Sequence, residues 1–323
     1  MGPCEAWEYH ATYAALAHGM QAGDAPALVW GQPTAHLCLG QSQSAAAELT
    51  PSIEVPVLQR PLGGGAVWLD EGQCCIALVA PRDLLPQRPA QWFDPLLDAM
   101  VQVYREAGLP VVRAGRDLHC RGRKIAGSGA ATLGQAGVVA SSFLIDFPVA
   151  SFARALACPS AGFRVWLEDA LRDGLTWWRR EGQAPPAVDL AGALRRATNA
   201  ALGWRWMQDR LTAQEGEARQ TWRAELRPEP GAGVRLVRDG VKISHGVYLT
   251  ECSGAWGWVR SLTRGGRVVR LALSGADVAQ DLLAGVLPRP EDIAAALAAG
   301  LHAEAARAWA LRILACAHLE EDA

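Results

Sequence analysis

An arginine followed by a run of glycines is the first segment whose residue types could do chemistry. Arg60-Pro61-Leu62 precedes Gly63-Gly64-Gly65, and Ala66 and Val67 follow. Three consecutive glycines exclude a regular element, so the segment must be a tight loop. In such a loop successive backbone N–H groups can converge on one anion, and a nearby arginine can donate to phosphate or carboxylate oxygens. Loops of this composition also occur as simple turns, so the loop alone does not define a site.

A lysine beside small residues is the second candidate. Arg123 and Lys124 precede Ile125 and Ala126, and the segment continues as Gly127-Ser128-Gly129. A lysine on a strand is more often a solvated surface residue. Three small residues in a strand, however, allow a ligand to approach the backbone closely. We therefore interpret Lys124 as a cationic group that contacts a bound anion.

Taken together, the two segments resemble the lipoate-protein ligase family. That family carries a pattern similar to R-R-x-S-G-G-G-A-V-x-H-D, then N-D-L, then R-K-I-S-G-S-A. This chain reads Q-R-P-L-G-G-G-A-V-W-L-D at 59–70, R-D-L at 116–118 and R-K-I-A-G-S-G at 123–129. The order and the spacing agree. Weaker similarity extends to 40–43 and 211–215, and residues 265–290 resemble the accessory domain of the long ligases.

The resemblance implies an α+β fold in two parts. Residues 1–227 would form a catalytic domain with a mixed, mostly antiparallel sheet flanked by helices, as in biotin and lipoate ligases. Residues 228–323 would form a smaller α+β accessory domain. The boundary falls at 227–231, where two prolines and a glycine interrupt any regular element.

A two-step reaction is implied by the same resemblance. Lipoate or octanoate attacks the α-phosphate of ATP to give acyl-AMP, and a lysine of an acceptor protein then attacks the mixed anhydride. The acceptor would be a lipoyl domain, such as a GcvH-like protein or an E2 domain, or another lipoate-binding protein. Lys124 would be the catalytic residue that holds the carboxylate and the α-phosphate together.

ATP and Mg²⁺ are the cofactors that the resemblance implies. Asp117 is the candidate ligand of Mg²⁺, which prefers a carboxylate plus substrate phosphates. The apolar chain of lipoate needs a dry tunnel, and we expect Trp68, Ala77 and Ala140 to line it. The residues expected to bind the nucleotide are Arg60, Gly63, Gly64, Gly65, Ala66, Val67, Trp68, Asp117, Gly127 and Ser128.

Several polar residues of the family pattern are absent. Leu62 replaces a serine, Leu69 a histidine, Arg116 an asparagine and Gln41 an arginine, and a His-Gly pair is missing near 140–142. Two alternatives therefore stay open: an ATP-independent lipoyl or octanoyl transferase, and a catalytically silent lipoyl-binding protein.

Two cysteines bear on the transferase alternative. Cys158 is the candidate nucleophile, although a cysteine in such a place is more often structural. Cys120 lies near Lys124 in sequence but matches neither transferase pattern.

The apolar pattern predicts the elements that must position these residues. Strands are predicted at 27–30, 36–39, 55–58, 74–79, 111–113, 124–128 and 138–147, the first two joined by a turn at 31–34 and the last three extending the same sheet. Helices are predicted at 92–107, 163–171 and 188–202, with a break at Pro185-Pro186, and a capping box at 212–215. The C-terminal part is predicted to contain hairpins on Asp239-Gly240 and Gly265-Gly266, then two or three helices after Gly275, Pro290 and His302.

Composition excludes some partners. A formal net charge of -2 gives no global field for nucleic acid or an anionic membrane. No apolar segment approaches 18 residues and no targeting sequence is evident, so we expect a cytoplasmic protein, and a monomer. The eight cysteines have no metal-binding spacing, and buried reduced thiols are favoured over disulfides.

Overall fold

A computed structural model describes residues 2–182, 187–231 and 233–319. Within them the helices are α1 (Ala6–Gly19), α2 (Ala45–Glu48), α3 (Phe93–Glu106), α4 (Val149–Ala155), α5 (Ala161–Gly174), α6 (Trp178–Glu181), α7 (Ala187–Leu202), α8 (Ala213–Glu225), α9 (Pro290–Leu297) and α10 (Ala303–Cys316). Short 3-10 turns occupy Arg82–Leu84 and Pro89–Gln91. None of the described helices is both long and apolar enough to cross a membrane.

Within the described residues the strands form four sheets. They are β1 (Pro3–Cys4), β2 (Ala27–Pro33), β3 (His36–Leu39), β4 (Val57–Gln59), β5 (Val67–Leu69), β6 (Gln73–Pro81), β7 (Val111–Ala114), β8 (Asp117–Cys120), β9 (Arg123–Ala126), β10 (Ser128–Leu133), β11 (Ala136–Leu144), β12 (Gly240–Ser244), β13 (Val247–Gly254), β14 (Gly257–Arg264) and β15 (Arg267–Leu273). Most pairings are antiparallel, so the predicted α+β class with a mostly antiparallel sheet is confirmed.

The chain divides into two compact units. The first comprises residues 1–155 and 175–234, and the second comprises 156–174 and 235–323. Every residue predicted to bind substrate belongs to the first unit. The sequence-predicted ranges 1–227 and 228–323 remain predictions; the compact units differ from them chiefly because α5 groups with the C-terminal residues.

A five-stranded sheet in the order β1-β2-β6-β11-β10 is the centre of the first unit. Its strand β6 is buried along its whole length, and its successive residues point to opposite faces. Cys74, Ile76 and Leu78 pack with α3 on one face, whereas Cys75, Ala77 and Val79 pack with α1 on the other. The run of apolar residues in β6 therefore reflects a strand that is covered on both sides.

Two small sheets carry the candidate motifs. The sheet β4-β3-β5 holds both ends of the glycine loop, and the sheet β7-β8-β9 holds Asp117 and Lys124. This arrangement corrects the prediction that 111–128 extends the main sheet. The predicted strand 124–128 is two strands, because the chain leaves β9 at Ala126 and enters β10 of the central sheet at Ser128.

Other predictions are confirmed or corrected locally. Helix α3 agrees with the predicted 92–107 to within one residue at each end, and it ends before Gly108, whose φ of +84° is the left-handed conformation of a helix stop. The predicted turn at 31–34 is wrong, since residues 31–33 continue β2: Gly31 pairs with Cys75 of β6, and Gln32 and Pro33 pair in parallel with β1. The predicted break at 185–186 lies outside the described residues.

The C-terminal predictions have mixed outcomes. The Asp239-Gly240 hairpin is wrong: Gly240 begins β12, and the turn lies at His245-Gly246. The hairpin on Gly265-Gly266 is confirmed. Helices after Pro290 and His302 are confirmed as α9 and α10, whereas only turns follow Gly275.

The second unit is a four-stranded antiparallel sheet, β12 to β15, covered by helices. Val259, Leu271, Leu297, Ala310 and Ile313 contribute to its core. A disulfide joins Cys252 to Cys316, with Cα atoms 5.7 Å apart. The expectation of reduced thiols is therefore wrong for this pair, and the other six cysteines are free thiols.

Candidate functional site

Lys124 forms an ion pair with Asp117. The two residues lie on the adjacent strands β9 and β8, and Lys124 Nζ is 2.9 Å from Asp117 Oδ1. The Asp117 side chain is 8% exposed and that of Lys124 is 24% exposed. The pair thus stands at the edge of the protein interior, where a charged group interacts more strongly than in bulk water. Lys124 is one of only two lysines in the chain, the other being Lys242, although Lys and Arg together number 31.

Gly127 provides the space in which the Lys124 ammonium lies. A Cβ atom at residue 127 would stand 2.8 Å from Nζ and 3.7 Å from Asp117 Oδ1. The carbonyl of Gly127 accepts a hydrogen bond from Ser141 Oγ at 2.8 Å. The Ser128 hydroxyl donates to the Arg116 carbonyl at 2.5 Å. The absence of a side chain at Gly127 therefore leaves space for the Lys124 ammonium. The hydrogen bond of Ser128 connects the start of β10 to the turn before Asp117.

The glycine loop is open to solvent and is held from behind by Arg60. Gly63 and Gly64 are exposed, and Gly64 has a φ of +99°, a conformation that favours glycine. The Arg60 side chain is buried. Its Nη2 donates to the carbonyls of Gly63 and Gly65 at 3.0 and 2.8 Å, and its Nη1 donates to the Cys38 carbonyl at 2.9 Å. Arg60 thus fixes the shape of the loop, and a direct phosphate contact by Arg60 stays a prediction.

A second loop restricts the glycine loop from the other side. A Cβ atom at Gly40 would stand 2.0 Å from the Gly64 carbonyl oxygen, so only a glycine fits at residue 40. The Gln41 N–H donates to the Leu62 carbonyl at 2.9 Å. The 40–43 segment of the family pattern therefore packs directly on the glycine run.

The two motifs meet in space. A Cβ atom at Gly129 would lie 3.3 Å from the Gly63 carbonyl oxygen and 3.8 Å from Leu62 Cβ. The start of β10, just beyond Lys124 and Gly127, therefore lies against the glycine loop. A loop rich in backbone donors and a lysine ammonium are thereby brought to one region, which is the requirement for binding a polyanion through both.

The end of the loop enters a strand. Val67 and Trp68 belong to β5, which pairs with β3, so Gly63 to Ala66 form the part of the loop outside strand pairing. Trp68 Nε1 donates to Asp70 Oδ2 at 2.8 Å, and Gly72 N donates to Asp70 Oδ1 at 2.9 Å. Burial raises the pKa of the Asp70 carboxyl above its usual value despite these two hydrogen bonds.

Small residues form a row across the central sheet beside the loop. Gly129 pairs with Ala140, Ala140 pairs with Ala77, and Ala77 pairs with Val29. Ala77 is fully buried, and Ala140 packs against the same apolar cluster. This row is compatible with the tunnel predicted from Trp68, Ala77 and Ala140, which stays a prediction.

Asp117 is the residue with the chemistry to hold magnesium. Mg²⁺ is commonly bound through one or two carboxylates, with water and substrate phosphates completing its shell. The single carboxylate of Asp117 fits that mode, although Lys124 competes for Oδ1. The donor set therefore fits an ion brought in with a nucleotide rather than one held by protein alone.

His10, His36 and Cys38 form a second group that could hold a metal, with ligand atoms within 4.8 Å of one another. One proton arrangement already satisfies both imidazoles. His36 Nδ1 donates to the Thr34 carbonyl at 2.8 Å, His10 Nε2 donates to His36 Nε2 at 3.0 Å, and Tyr13 Oη donates to His10 Nδ1 at 3.2 Å. The Arg60 guanidinium beside Cys38 also disfavours a cation there. We interpret this group as a buried hydrogen-bond chain behind the loop.

Sequence reasoning missed this chain and one further contact. His36 is the cross-strand partner of Leu69, the position at which the family pattern has histidine. The replacement of that histidine by Leu69 is visible in the sequence, but only the strand register shows that residue 69 lies opposite His36. The second missed contact is the pairing of Leu175 and Thr176 with Lys124.

Neither candidate cysteine is an activated thiol. Cys158 belongs to the second unit and donates to the Leu156 carbonyl at 3.4 Å. Burial raises the pKa of the Cys158 thiol, and burial likewise raises the pKa of the fully buried Cys120. A nucleophilic cysteine needs a lowered pKa, so both environments are unsuited to that role.

Residues 5–189, more than half of the chain, match the lipoyl protein ligase A/B catalytic domain. The protein therefore belongs to the lipoyl protein ligase A/B catalytic-domain family. No curated protein matches the sequence.

Solved structures share the fold at low sequence identity. The bipartite lipoate protein ligase of Thermoplasma acidophilum, studied with its E2 lipoyl domain, is 20% identical, with 69% of this chain and 92% of that chain covered and a TM-score of 0.63. A lipoate-protein ligase A bound with ATP is 18% identical, with 70% and 92% covered and a TM-score of 0.60. P. falciparum LipL1 in complex with lipoate is 12% identical, with 97% and 99% covered and a TM-score of 0.53.

Proposed function

We propose that this protein is an ATP-dependent lipoate-protein ligase that converts lipoate or octanoate into acyl-AMP and transfers the acyl group to a lysine of a lipoyl-domain acceptor. The observation that carries the proposal is the packing of the glycine loop against Gly129 at the start of β10, which follows Gly127 and the Lys124–Asp117 pair. Adenylation must bring a carboxylate and a triphosphate together, and both are anions. A site that joins backbone donors to one ammonium supplies the positive potential for this encounter.

In the first step a lipoate carboxylate oxygen attacks the α-phosphorus of ATP, and pyrophosphate leaves. Lys124 would contact the carboxylate and the α-phosphate, which lowers their mutual repulsion and favours the charge that develops on phosphorus. Gly63 to Ala66 would receive the phosphates through backbone N–H groups, on a loop that Arg60 keeps in shape. Asp117 would hold Lys124 in place and offer a carboxylate to a nucleotide-bound Mg²⁺.

In the second step the neutral amine of the acceptor lysine attacks the acyl carbonyl, and AMP leaves with the shared oxygen. The amine loses a proton, so an amide forms. The acceptor is proposed to be a lipoyl domain of the E2 type or a GcvH-like protein. The T. acidophilum lipoate protein ligase, which was studied together with its E2 lipoyl domain, supports the first of these by analogy.

The test is lipoate-dependent exchange of labelled pyrophosphate into ATP, without an acceptor. We expect exchange with lipoate or octanoate and none without the acid. Acyl transfer from an acyl carrier protein without ATP would instead support the transferase alternative, which the raised pKa of Cys158 does not favour. A ligase needs no covalent enzyme intermediate, so Cys158→Ser should retain exchange within about threefold.

A further inference from the structure

The backbone of Lys124 is paired on both sides. On one side it pairs with His119 of β8. On the other side Leu175 forms a parallel bridge with Lys124, and Thr176 N donates to the Lys124 carbonyl at 2.8 Å. The segment 175–176 therefore extends the small sheet by one short pairing, at the residue whose side chain enters the site.

Glu181 connects this added segment to the turn that leads into Lys124. Thr176 is fully buried, and its hydroxyl donates to Glu181 Oε1 at 2.5 Å. Glu181 Oε2 accepts a hydrogen bond from Arg121 Nη1, and Arg121 lies in the tight turn between β8 and β9 with a φ of +48°. One carboxylate thus accepts hydrogen bonds from side chains of both segments that border the start of β9.

The carboxylate of Glu181 is nearly buried and ionised. Its side chain is 4% exposed. Burial acts to raise the pKa of Glu181, but the Thr176 hydroxyl and the Arg121 guanidinium outweigh burial, so the pKa is lowered and the ionised form is kept. Helix α6 is anchored by the fully buried Trp178, whose ring lies 4.6 Å from that of Tyr104.

We propose that Glu181, acting through Thr176 and Arg121, is a positioning residue that fixes the strand from which Lys124 reaches the reacting groups. This inference rests on the proposed ligase function for its consequence in catalysis. A lysine that must touch two anions at once tolerates little displacement, because small misplacements of reacting groups lower rates strongly. The charge of Lys124 would remain if the strand loosened, so substrate binding should change less than turnover.

Two substitutions of Thr176 separate positioning from a merely structural role. Thr176→Val keeps the shape and removes the hydroxyl, whereas Thr176→Ser keeps the hydroxyl and removes a methyl group. Both perturb a fully buried side chain, so a structural role alone predicts similar losses. We expect Thr176→Val to lower kcat for pyrophosphate exchange at least tenfold with KM for ATP within threefold, and Thr176→Ser to stay within threefold in both. Glu181→Ala should resemble Thr176→Val, and Glu217→Ala on the exposed face of α8 is the matched control.

A second measurement reads the position of Lys124 without relying on activity. Because Lys124 and Lys242 are the only lysines, acylation by an N-hydroxysuccinimide ester can be followed at both by mass spectrometry, with Lys242 as the internal reference. We expect Thr176→Val and Glu181→Ala to raise labelling of Lys124 relative to Lys242 at least threefold, and Thr176→Ser to leave the ratio unchanged.

The outcomes distinguish this inference from the proposed function. A wild-type protein without exchange activity would refute the ligase, while the labelling ratios would still decide the positioning role. An active wild type with equal kcat and equal labelling ratios in Thr176→Val and Thr176→Ser would overturn the inference and leave the ligase intact.

Discussion

A Cβ atom at Gly127 would stand 2.8 Å from the Lys124 ammonium, closer than side-chain atoms normally approach. Gly127 does not have a positive φ, so its backbone accepts an alanine. The Lys124 side chain would have to yield, since it is the flexible partner. We expect Gly127→Ala to lower the rate of pyrophosphate exchange about tenfold or more with little change in thermal stability. Gly216→Ala in α8, with nothing within 4 Å, is the control and should leave activity unchanged.

Replacing Lys124 tests the catalytic assignment. Lys124→Ala removes the ammonium proposed to contact both anions, and loss of such a contact costs about a hundredfold to a thousandfold in rate. Lys124→Arg should be nearly as inactive, because a planar guanidinium cannot replace a compact ammonium. Lys242→Ala is the control. Near-normal exchange in either Lys124 variant would contradict the assignment.

The ion pair also changes the expectation for stability. From the sequence, a lysine kept for chemistry contributes little to folding. In the structure Lys124→Ala takes a partner from the nearly buried Asp117, which should lower the free energy of unfolding by about 1–3 kcal/mol. Denaturant titration of Lys124→Ala beside Lys124→Ala/Asp117→Asn checks this, since the second change removes the carboxylate charge that Lys124 had balanced and should recover part of the loss.

Arg60→Lys tests whether the shape of the glycine loop depends on the several N–H donors of the Arg60 guanidinium. A single ammonium cannot donate to the Cys38, Gly63 and Gly65 carbonyls in the geometry that the guanidinium uses. We expect KM for ATP to rise at least tenfold and the free energy of unfolding to fall by about 2–4 kcal/mol, from charge-assisted hydrogen bonds of about 1.5–3 kcal/mol each. The exposed Arg88→Lys is the control. An unchanged KM would mean that the loop keeps its shape without Arg60.

The sequence located both motifs because their signals are local. A glycine run and a lysine followed by small residues can be recognised without a fold. Helix α3 follows from its helical periodicity, and strand β6 from its short continuous run of apolar residues. The split of 124–128 into two strands could not be predicted, since the two halves form their backbone hydrogen bonds in different sheets. The contacts of Lys124 with Thr176 and of His10 with His36 could not be predicted from the sequence either, because tertiary packing brings together residues that are far apart in the chain.

The buried histidines should make stability depend on pH. Burial lowers the pKa of His36 from 6.5 to about 4 and lowers that of His10 as well. Because the unfolded state then binds more protons, stability is complete above about pH 6.5 and is lost as pH falls from 6.5 towards 4. The His36 shift corresponds to about 3 kcal/mol. Urea titrations between pH 5 and 8 should show this slope, and the variant His10→Leu/His36→Leu should lack most of it. The same slope in that variant would assign the effect to other groups.

The contacts of helix α5 determine which truncations should leave a folded protein. Its residues Phe163, Trp166 and Leu167 are buried. Trp166 stacks under Arg270 at 3.9 Å from guanidinium carbon to ring centre, and Arg270 also pairs with Asp169 at 3.2 Å. Ser160, just before the helix, donates to Glu251 Oε2 at 3.0 Å. These contacts tie α5 to β13 and β15, although the sequence predicted it as part of the catalytic domain.

Cutting at the sequence-predicted boundary should therefore damage the protein. A protein ending at residue 230 keeps α5 but loses β13 and β15, so the apolar face of α5 would be exposed and would promote aggregation. If residues 156–174 are instead replaced by a flexible Gly-Ser linker and the chain ends at 234, only the first compact unit remains. We expect the first truncation to bind a hydrophobic dye and to elute as aggregates, and the second to be monomeric with one cooperative unfolding transition by calorimetry. Cooperative unfolding of the 1–230 protein with no dye binding would show that α5 belongs with the catalytic domain after all.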